Sequence, residues 1–99
     1  MEFGWDAEKN RRNIVERGLP FSLAEVLFRS PIRERVDDRR NYGELRIRAY
    51  GTIQGRIFVC VYTERVIDGR ELRWIISFRK ANAREVRKYH EWIEAEDGG

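Results

Sequence analysis

Seventeen of the twenty basic residues in this 99-residue chain are arginines; only Lys9, Lys80 and Lys88 are lysines. Arginine carries a planar fork of N–H donors that meets a phosphate or carboxylate through two bonds at once, and it stacks on aromatic rings and bases. Strand alternation would gather several of these cations on one polar face: Arg46 and Arg48 on one strand, Arg65 ending the next, and Arg73 and Arg79 on a third. Arg79 and Lys80 also precede the start of the last helix, where free backbone N–H groups favour an anion. Fixed cations around one point suit a phosphodiester whose negative charge grows as it is attacked. A solvated ion-pair face is the other reading, with the same arginines neutralising Glu44, Glu64 and Glu71. The charge distribution leans towards a polyanion. Arg56 to Lys88 holds nine basic and four acidic residues, while the last nine residues hold four acids and no base.

Most other chemistries lack their residues. His90 is the sole histidine and Cys60 the sole cysteine, which removes paired-histidine nuclease centres, cysteine metal sites and an internal disulfide. No metal or cofactor is expected. Ser77 has no nearby Ser/His/Asp set, and Gly51 and Gly55 flank a turn with no helix behind them, so neither a hydrolase triad nor a phosphate-binding glycine loop is present. Cys60 lies in the apolar run Ile57–Val61 and reads as a small core residue. If a general base is needed, the carboxylates Glu44 and Glu64 are the candidates.

Length and composition frame these residues. The chain has the size of one domain with one core. Its charged fraction of 37% exceeds the usual ~25%. With no basic stretch leading into an apolar run, and no apolar stretch near the ~20 residues of a membrane span, the expected compartment is the cytoplasm.

The elements that would position the cations can be read from periodicity. Glu2–Trp5 suits a short edge strand. Asp6 caps a helix over about Ala7–Arg17, with a thin apolar stripe of Ala7 and Ile14 and Val15 at its edge, ended by a left-handed Gly18. Ser22-x-x-Glu25 forms a capping box, with Phe21 and Val26 as a hydrophobic staple, for a helix over Leu23–Phe28 that Ser30-Pro31 stops. Ile32–Gly43 is polar and reads as a loop. Three strands follow: Glu44–Tyr50, Arg56–Thr63 and Glu71–Arg79, the last two joined by an Asp68-Gly69 hairpin. On the third, Arg73, Ile75, Ser77 and Arg79 share one face. A final helix starts at Asn82, with Glu85 three residues on and Val86, Tyr89 and Ile93 as its apolar stripe. The expected fold is α+β, with two N-terminal helices and a C-terminal helix packed on a small antiparallel meander.

In this order and spacing the motifs resemble the BrnT family of toxins. Phe3-x-Trp5-Asp6-x-x-Lys9-x-x-x-Asn13, then Gly18 and Phe21, is similar to the family's opening. Glu44-x-Arg46, Gly51, Gly55-Arg56 and Thr63-Glu64-Arg65 resemble its middle. Ile75-Ile76-Ser77-Phe78-Arg79-Lys80-Ala81, then Arg84-Glu85 and Tyr89, is the most specific stretch. The resemblance implies a RelE-like fold and a type II toxin, a ribonuclease without metal or cofactor that stops translation. It also implies a cognate BrnA-like antitoxin with acidic residues, and contact with DNA only through the antitoxin complex.

On that footing Arg65 and Arg79 are the expected charge stabilisers and Glu44 or Glu64 the expected base. Lys9, Arg46, Arg48, Ser77, Lys80 and Arg84 are the expected RNA contacts. The alternative is a domain of the same fold that binds RNA or a partner without cutting. Two departures bear on the choice. Glu16-Arg17 stand where family members commonly have Lys-His, and Trp74 stands where they often have an arginine, with Arg73 one place earlier.

Overall fold

A computed structural model of the chain describes residues 1–97. The elements are β1 (Glu2–Trp5), α1 (Ala7–Arg17), α2 (Leu23–Leu27), β2 (Arg33–Val36), β3 (Ile47–Ile53), β4 (Arg56–Ile67), β5 (Arg70–Lys80) and α3 (Ala83–Asp97). They build an α+β domain on one five-stranded sheet in the order β1-β5-β4-β3-β2. The expected β3–β4–β5 meander forms the centre. The sheet is mixed, however, because β1 runs parallel to β5, with Trp5 opposite Ile75.

The two hairpins are tight. Gln54 and Gly55 take φ of 50° and 78°, and Asp68 and Gly69 take 53° and 77°. Positive φ at both central residues is the two-residue turn whose twist matches paired strands.

β2 corrects the expectation of a loop over Ile32–Gly43. Its residues Arg33-Glu34-Arg35-Val36 lack any apolar alternation, yet they pair antiparallel with Tyr50 back to Ile47. Partners distant in sequence hold it: Tyr62 donates its hydroxyl to Glu34, Arg33 pairs with Glu96 at 2.7 Å, and Arg35 lies on the Trp92 ring.

Each sheet face has its own core. Leu19, Phe21, Ala24 and Leu27 pack on Ala49, Phe58, Cys60, Tyr62, Ile75 and Phe78 on one face. Burial there pushes the Cys60 thiol up to about 12, as befits an inert packing residue. On the other face α3 lays Val86, Tyr89, Trp92 and Ile93 on Tyr50, Ile57 and Val59, as its stripe predicts.

The helix starts divide. Asp6 caps α1 through bonds from the Glu8 and Lys9 amides, and Gly18 ends it at φ 69°. Asn82 and Glu85 form a reciprocal box at α3, each side chain accepting the other's amide at 2.9 Å. Ser22 makes no such bond at α2, and Val26 is exposed while Phe21 is buried, so neither the expected box nor the staple forms. α1 departs as well: Ile14 and Val15 face outwards, and the helix docks through amides. Asn13 donates to the carbonyls of Leu19 (2.8 Å) and Phe78 (3.0 Å), and Asn10 accepts the Phe21 amide at 2.8 Å.

The feature that arranges the site is a bulge. Val61 pairs with Ser77 and Tyr62 with Ile75, leaving Ile76 as an extra residue in β5. One inserted residue reverses the side-chain alternation before it relative to that after it. Trp74, Ser77 and Arg79 therefore share the α3 face, and Arg73 is turned to the opposite face. There it stacks on Phe28 (4.7 Å) and Tyr62 (4.3 Å) and lies 3.9 Å from Glu64. This corrects the expectation that Arg73 shares a face with Ser77 and Arg79.

Candidate nucleic-acid interface

The second core ends at the row Tyr50–Val59–Arg79. Beyond that row the same sheet face is polar. The next row is Arg35–Arg48–Val61–Ser77, read across β2, β3, β4 and β5. Further along come Arg46, Thr63 and Trp74, and then Arg65. The rows form a track of guanidinium groups interleaved with aromatic rings, which is the composition of a single-strand binding groove.

At one end of the track three expected site residues meet. The Glu44 carboxylate takes a bond from Arg46 Nε at 3.2 Å and from Arg65 Nη2 at 3.4 Å to each oxygen. All three side chains are roughly one-quarter to one-third exposed, at 27%, 24% and 37% for Glu44, Arg46 and Arg65. Each guanidinium has a ring beneath it: Arg46 lies 4.1 Å from the Tyr42 centroid and Arg65 5.0 Å from that of Trp74. The loop before β3 supports this end. Arg39 grips the buried Asp37 carboxylate through two bonds (2.7 and 2.8 Å), Tyr42 donates to it at 3.4 Å, and the Asp37 amide binds the Arg46 carbonyl. The Arg39 hydrogen bonds hold the Asp37 carboxyl below the usual range.

Arg79 stands at the other end. Its register partner is Val59 whereas Arg65 is itself a β4 residue, so six residues of strand separate the two, about 20 Å at ~3.4 Å per residue. The two expected charge stabilisers thus occupy opposite ends of the track and do not converge on one phosphate. Nor is the anion place beside Arg79 open. The Glu85 carboxylate fills it, accepting Arg79 Nη1 at 2.7 Å, Nη2 at 2.9 Å and the Asn82 amide. These bonds raise the Arg79 pKa and hold Glu85 below the carboxylate range.

The other expected contacts distribute unevenly. Arg48 and Arg84 line a cleft beside Arg79 together with Arg35, Tyr50, Lys88 and Trp92. Ser77 faces the track, and a small hollow brings it near Lys9, Arg12 and Arg17 of α1. Arg17 donates to Asn13 and to the Phe78 carbonyl, so this position helps close the free β5 edge. Two residues leave the interface. Glu64 pairs with Arg73 and Lys80 with Phe58, which places both on the α1/α2 side of the sheet. Glu64 is therefore no companion of Arg65, its chain neighbour, because adjacent strand residues point to opposite faces. His90 is exposed on α3. Among the described residues no three His, Cys, Asp or Glu side chains gather into a cluster.

Several contributors escaped sequence reasoning. Tyr42 lies in a loop without periodicity, and Arg35 in a strand without pattern. Trp74 looked like a missing arginine until the bulge placed it under Arg65. Glu85 was in view, since Asn82-x-x-Glu85 announces a carboxylate at the helix start, the point at which Arg79 arrives.

Residues 5–85 match the family model of the ribonuclease toxin BrnT of type II toxin–antitoxin systems. No curated protein matches the chain. The matched span contains Lys9, Glu44, Arg46, Arg48, Arg65, Ser77, Arg79 and Glu85, and it stops before Lys88 and Trp92. A match over most of the chain, with the cationic track inside it, places this protein in the BrnT family of ribonuclease toxins.

Proposed function

We propose that this toxin cleaves single-stranded RNA without a metal ion on the α3 side of its RelE-like sheet, at the Glu44–Arg46–Arg65 group. Membership of the family carries an RNA target and an antitoxin partner. The observation that supports this site is the meeting of a carboxylate with two ring-backed guanidinium groups.

Glu44 takes the proton of a ribose 2′-hydroxyl. The O2′–P bond forms as the P–O5′ bond breaks, leaving a 2′,3′-cyclic phosphate, and the departing 5′ oxygen gains a proton from water. A carboxylate offers about four acceptor sites, so the bonds from Arg46 and Arg65 leave room for that hydroxyl. Arg65 and Arg46 meet the charge that develops on the phosphoryl oxygens. Arg48, Ser77, Arg79 and Arg84 hold the strand along the track, and Lys9 approaches from the β5 edge.

The test is cleavage in EDTA by the wild type, Arg65→Ala and Glu44→Gln, with folding checked by circular dichroism. Loss of one preorganised charge stabiliser is expected to cost about 10²–10³-fold in rate, and loss of the base about 10²–10⁴-fold. Undiminished cleavage in both folded variants refutes the site, and cleavage that vanishes in EDTA refutes metal independence. Arrest of translation on induction, in the cytoplasm, belongs to the same reading. So does neutralisation by an acidic, BrnA-like antitoxin that covers the track, with DNA contacted only through that complex.

A binding-only role has one observation in its favour: at the position where the family commonly carries a histidine, Arg17 is engaged in bonding Asn13 and the Phe78 carbonyl. Continued growth after induction, with RNA bound but uncut, identifies that case.

A further inference from the structure

The cleft between β2, β3 and the start of α3 has a volume of about 500 Å³ and is lined by Arg35, Arg48, Arg84 and Lys88 with the rings of Tyr50 and Trp92. Its charge is unbalanced. The one carboxylate on its wall among the described residues, Glu85, is already engaged by Arg79 through two bonds. Among the described residues Arg35, Arg48 and Arg84 form no ion pair, whereas Arg33, Arg39, Arg46, Arg65, Arg70 and Arg79 each meet a carboxylate within 3.4 Å. Among the described residues Lys88 has only an exposed contact with Glu91 at 3.6 Å.

Two details make this cluster more than a solvated surface. Arg35 and Arg48 are direct cross-strand partners on one face, and like charges directly opposed destabilise a sheet. Arg48 Nε is also shut off from solvent and has no acceptor among the described residues. An arrangement that costs the fold stability fits a place where a ligand supplies the missing negative charge. The rings define the rest of that ligand. The Arg35 guanidinium lies over the Trp92 ring, 3.9 Å from its centroid, and Tyr50 meets Trp92 edge-on at 5.1 Å, which forms a platform for a planar group.

We propose that this cleft is a nucleotide subsite flanking the cut: Arg48, Arg84 and Lys88 hold a phosphate of the RNA strand, and the adjoining base stacks on the Arg35–Trp92 pair. The inference rests on the reading of the track as an RNA site. It extends that reading to Lys88 and Trp92, which lie outside the family match. An acidic protein segment would satisfy the cations but would leave the ring platform unused.

The experiment measures binding of a short single-stranded 2′-O-methyl RNA by fluorescence anisotropy across a salt series. This RNA lacks the attacking hydroxyl, so the titration reads binding alone. Arg84→Ala/Lys88→Ala is expected to weaken binding about tenfold and to lower the salt slope by about 0.7 to 1.4, one to two phosphate contacts on a single strand. Arg84→Lys/Lys88→Arg keeps the charges and the slope, and Arg56→Ala, on the other sheet face, serves as the control for net charge. In a Trp5→Phe/Trp74→Phe background, the remaining Trp92 emission is expected to change on saturation with RNA.

An unaltered slope and affinity in the folded double alanine variant overturns the phosphate subsite. Loss of antitoxin binding without loss of RNA binding does the same and assigns the cleft to the protein partner. Unchanged Trp92 emission overturns the base platform. A wild type that binds the methylated RNA through this cleft but never cuts unmodified RNA refutes the proposed cleavage and leaves the subsite standing.

Discussion

Replacing Glu85 by glutamine should weaken the folded protein and strengthen its grip on RNA by similar amounts. In the fold, the Glu85 carboxylate accepts two bonds from Arg79 and one from the Asn82 amide, and its side chain is only 14% exposed. Glutamine keeps the shape, and its amide oxygen can still accept from Asn82. It cannot accept both Arg79 bonds as a charged partner. A hydrogen bond to a charged group contributes about 1.5–3 kcal/mol and a neutral one about 0.5–1.5 kcal/mol. The loss should therefore be about 1–2 kcal/mol, towards the lower end because Arg79 is 31% exposed. For a domain of this size that lowers Tm by roughly 5–12 °C. The carboxylate also occupies the place a phosphate would take on Arg79, so RNA must displace it to bind there. Removing that competitor should lower the RNA Kd by roughly 5- to 20-fold, since 1.4 kcal/mol is a factor of ten. Thermal unfolding and anisotropy with 2′-O-methyl RNA measure the two effects. A lower Tm with unchanged RNA affinity would refute the competition. An unchanged Tm would show that the ion pair contributes nothing.

The same pair sets an acid limit. Because Arg79 holds the folded-state pKa of Glu85 below its ordinary 4.5, the stabilisation is complete above about that pH and is lost as pH falls through the folded value. Wild type should therefore lose stability below about pH 4.5, and Glu85→Gln should lose less over the same range. Asn13→Ala should cost about 2 kcal/mol in urea unfolding, because it takes the side-chain donor from the buried Leu19 carbonyl and leaves the Phe78 carbonyl only its longer bond from Arg17; a change under about 0.5 kcal/mol would show that water replaces the amide. Arg73→Met should leave the salt slope of RNA binding unaltered, since the bulge turns this side chain onto Phe28 and Tyr62; a slope lowered by about 0.7 would place it on the RNA face.

Local patterns announced much of the architecture. Asp6, Gly18, Asn82 and the Asp68-Gly69 turn act within a few residues of chain, through side-chain caps or positive φ, and each does in the fold what its type implies. β2 carried no such signal because its reasons for being a strand lie 17 to 63 residues away, in Tyr50, Tyr62, Trp92 and Glu96. The apolar stripe read into α1 failed for a related reason. Asn10 and Asn13 look like surface residues until the carbonyls and amide they must satisfy are brought to them.

The site divides along the same line. Composition and order established that arginines would stand on a sheet, and alternation along the expected strand Glu44–Tyr50 put Arg46 and Arg48 on one face, although the strand that forms, β3, begins only at Ile47. Alternation does not survive an inserted residue. Only the pairing of β4 with β5 revealed that Ile76 is extra, which exchanged Arg73 for Trp74 at the interface and left Glu64 and Lys80 on the far side. Whether an arginine is free or engaged was likewise a matter of tertiary distance. Arg79 meets Glu85, Arg65 meets Glu44, and among the described residues Arg48 meets no carboxylate, although all three are the same residue type on the same strand-rich background. Charge and propensity are carried by the chain, while the choice of partner for each charge is made by the sheet that brings them together.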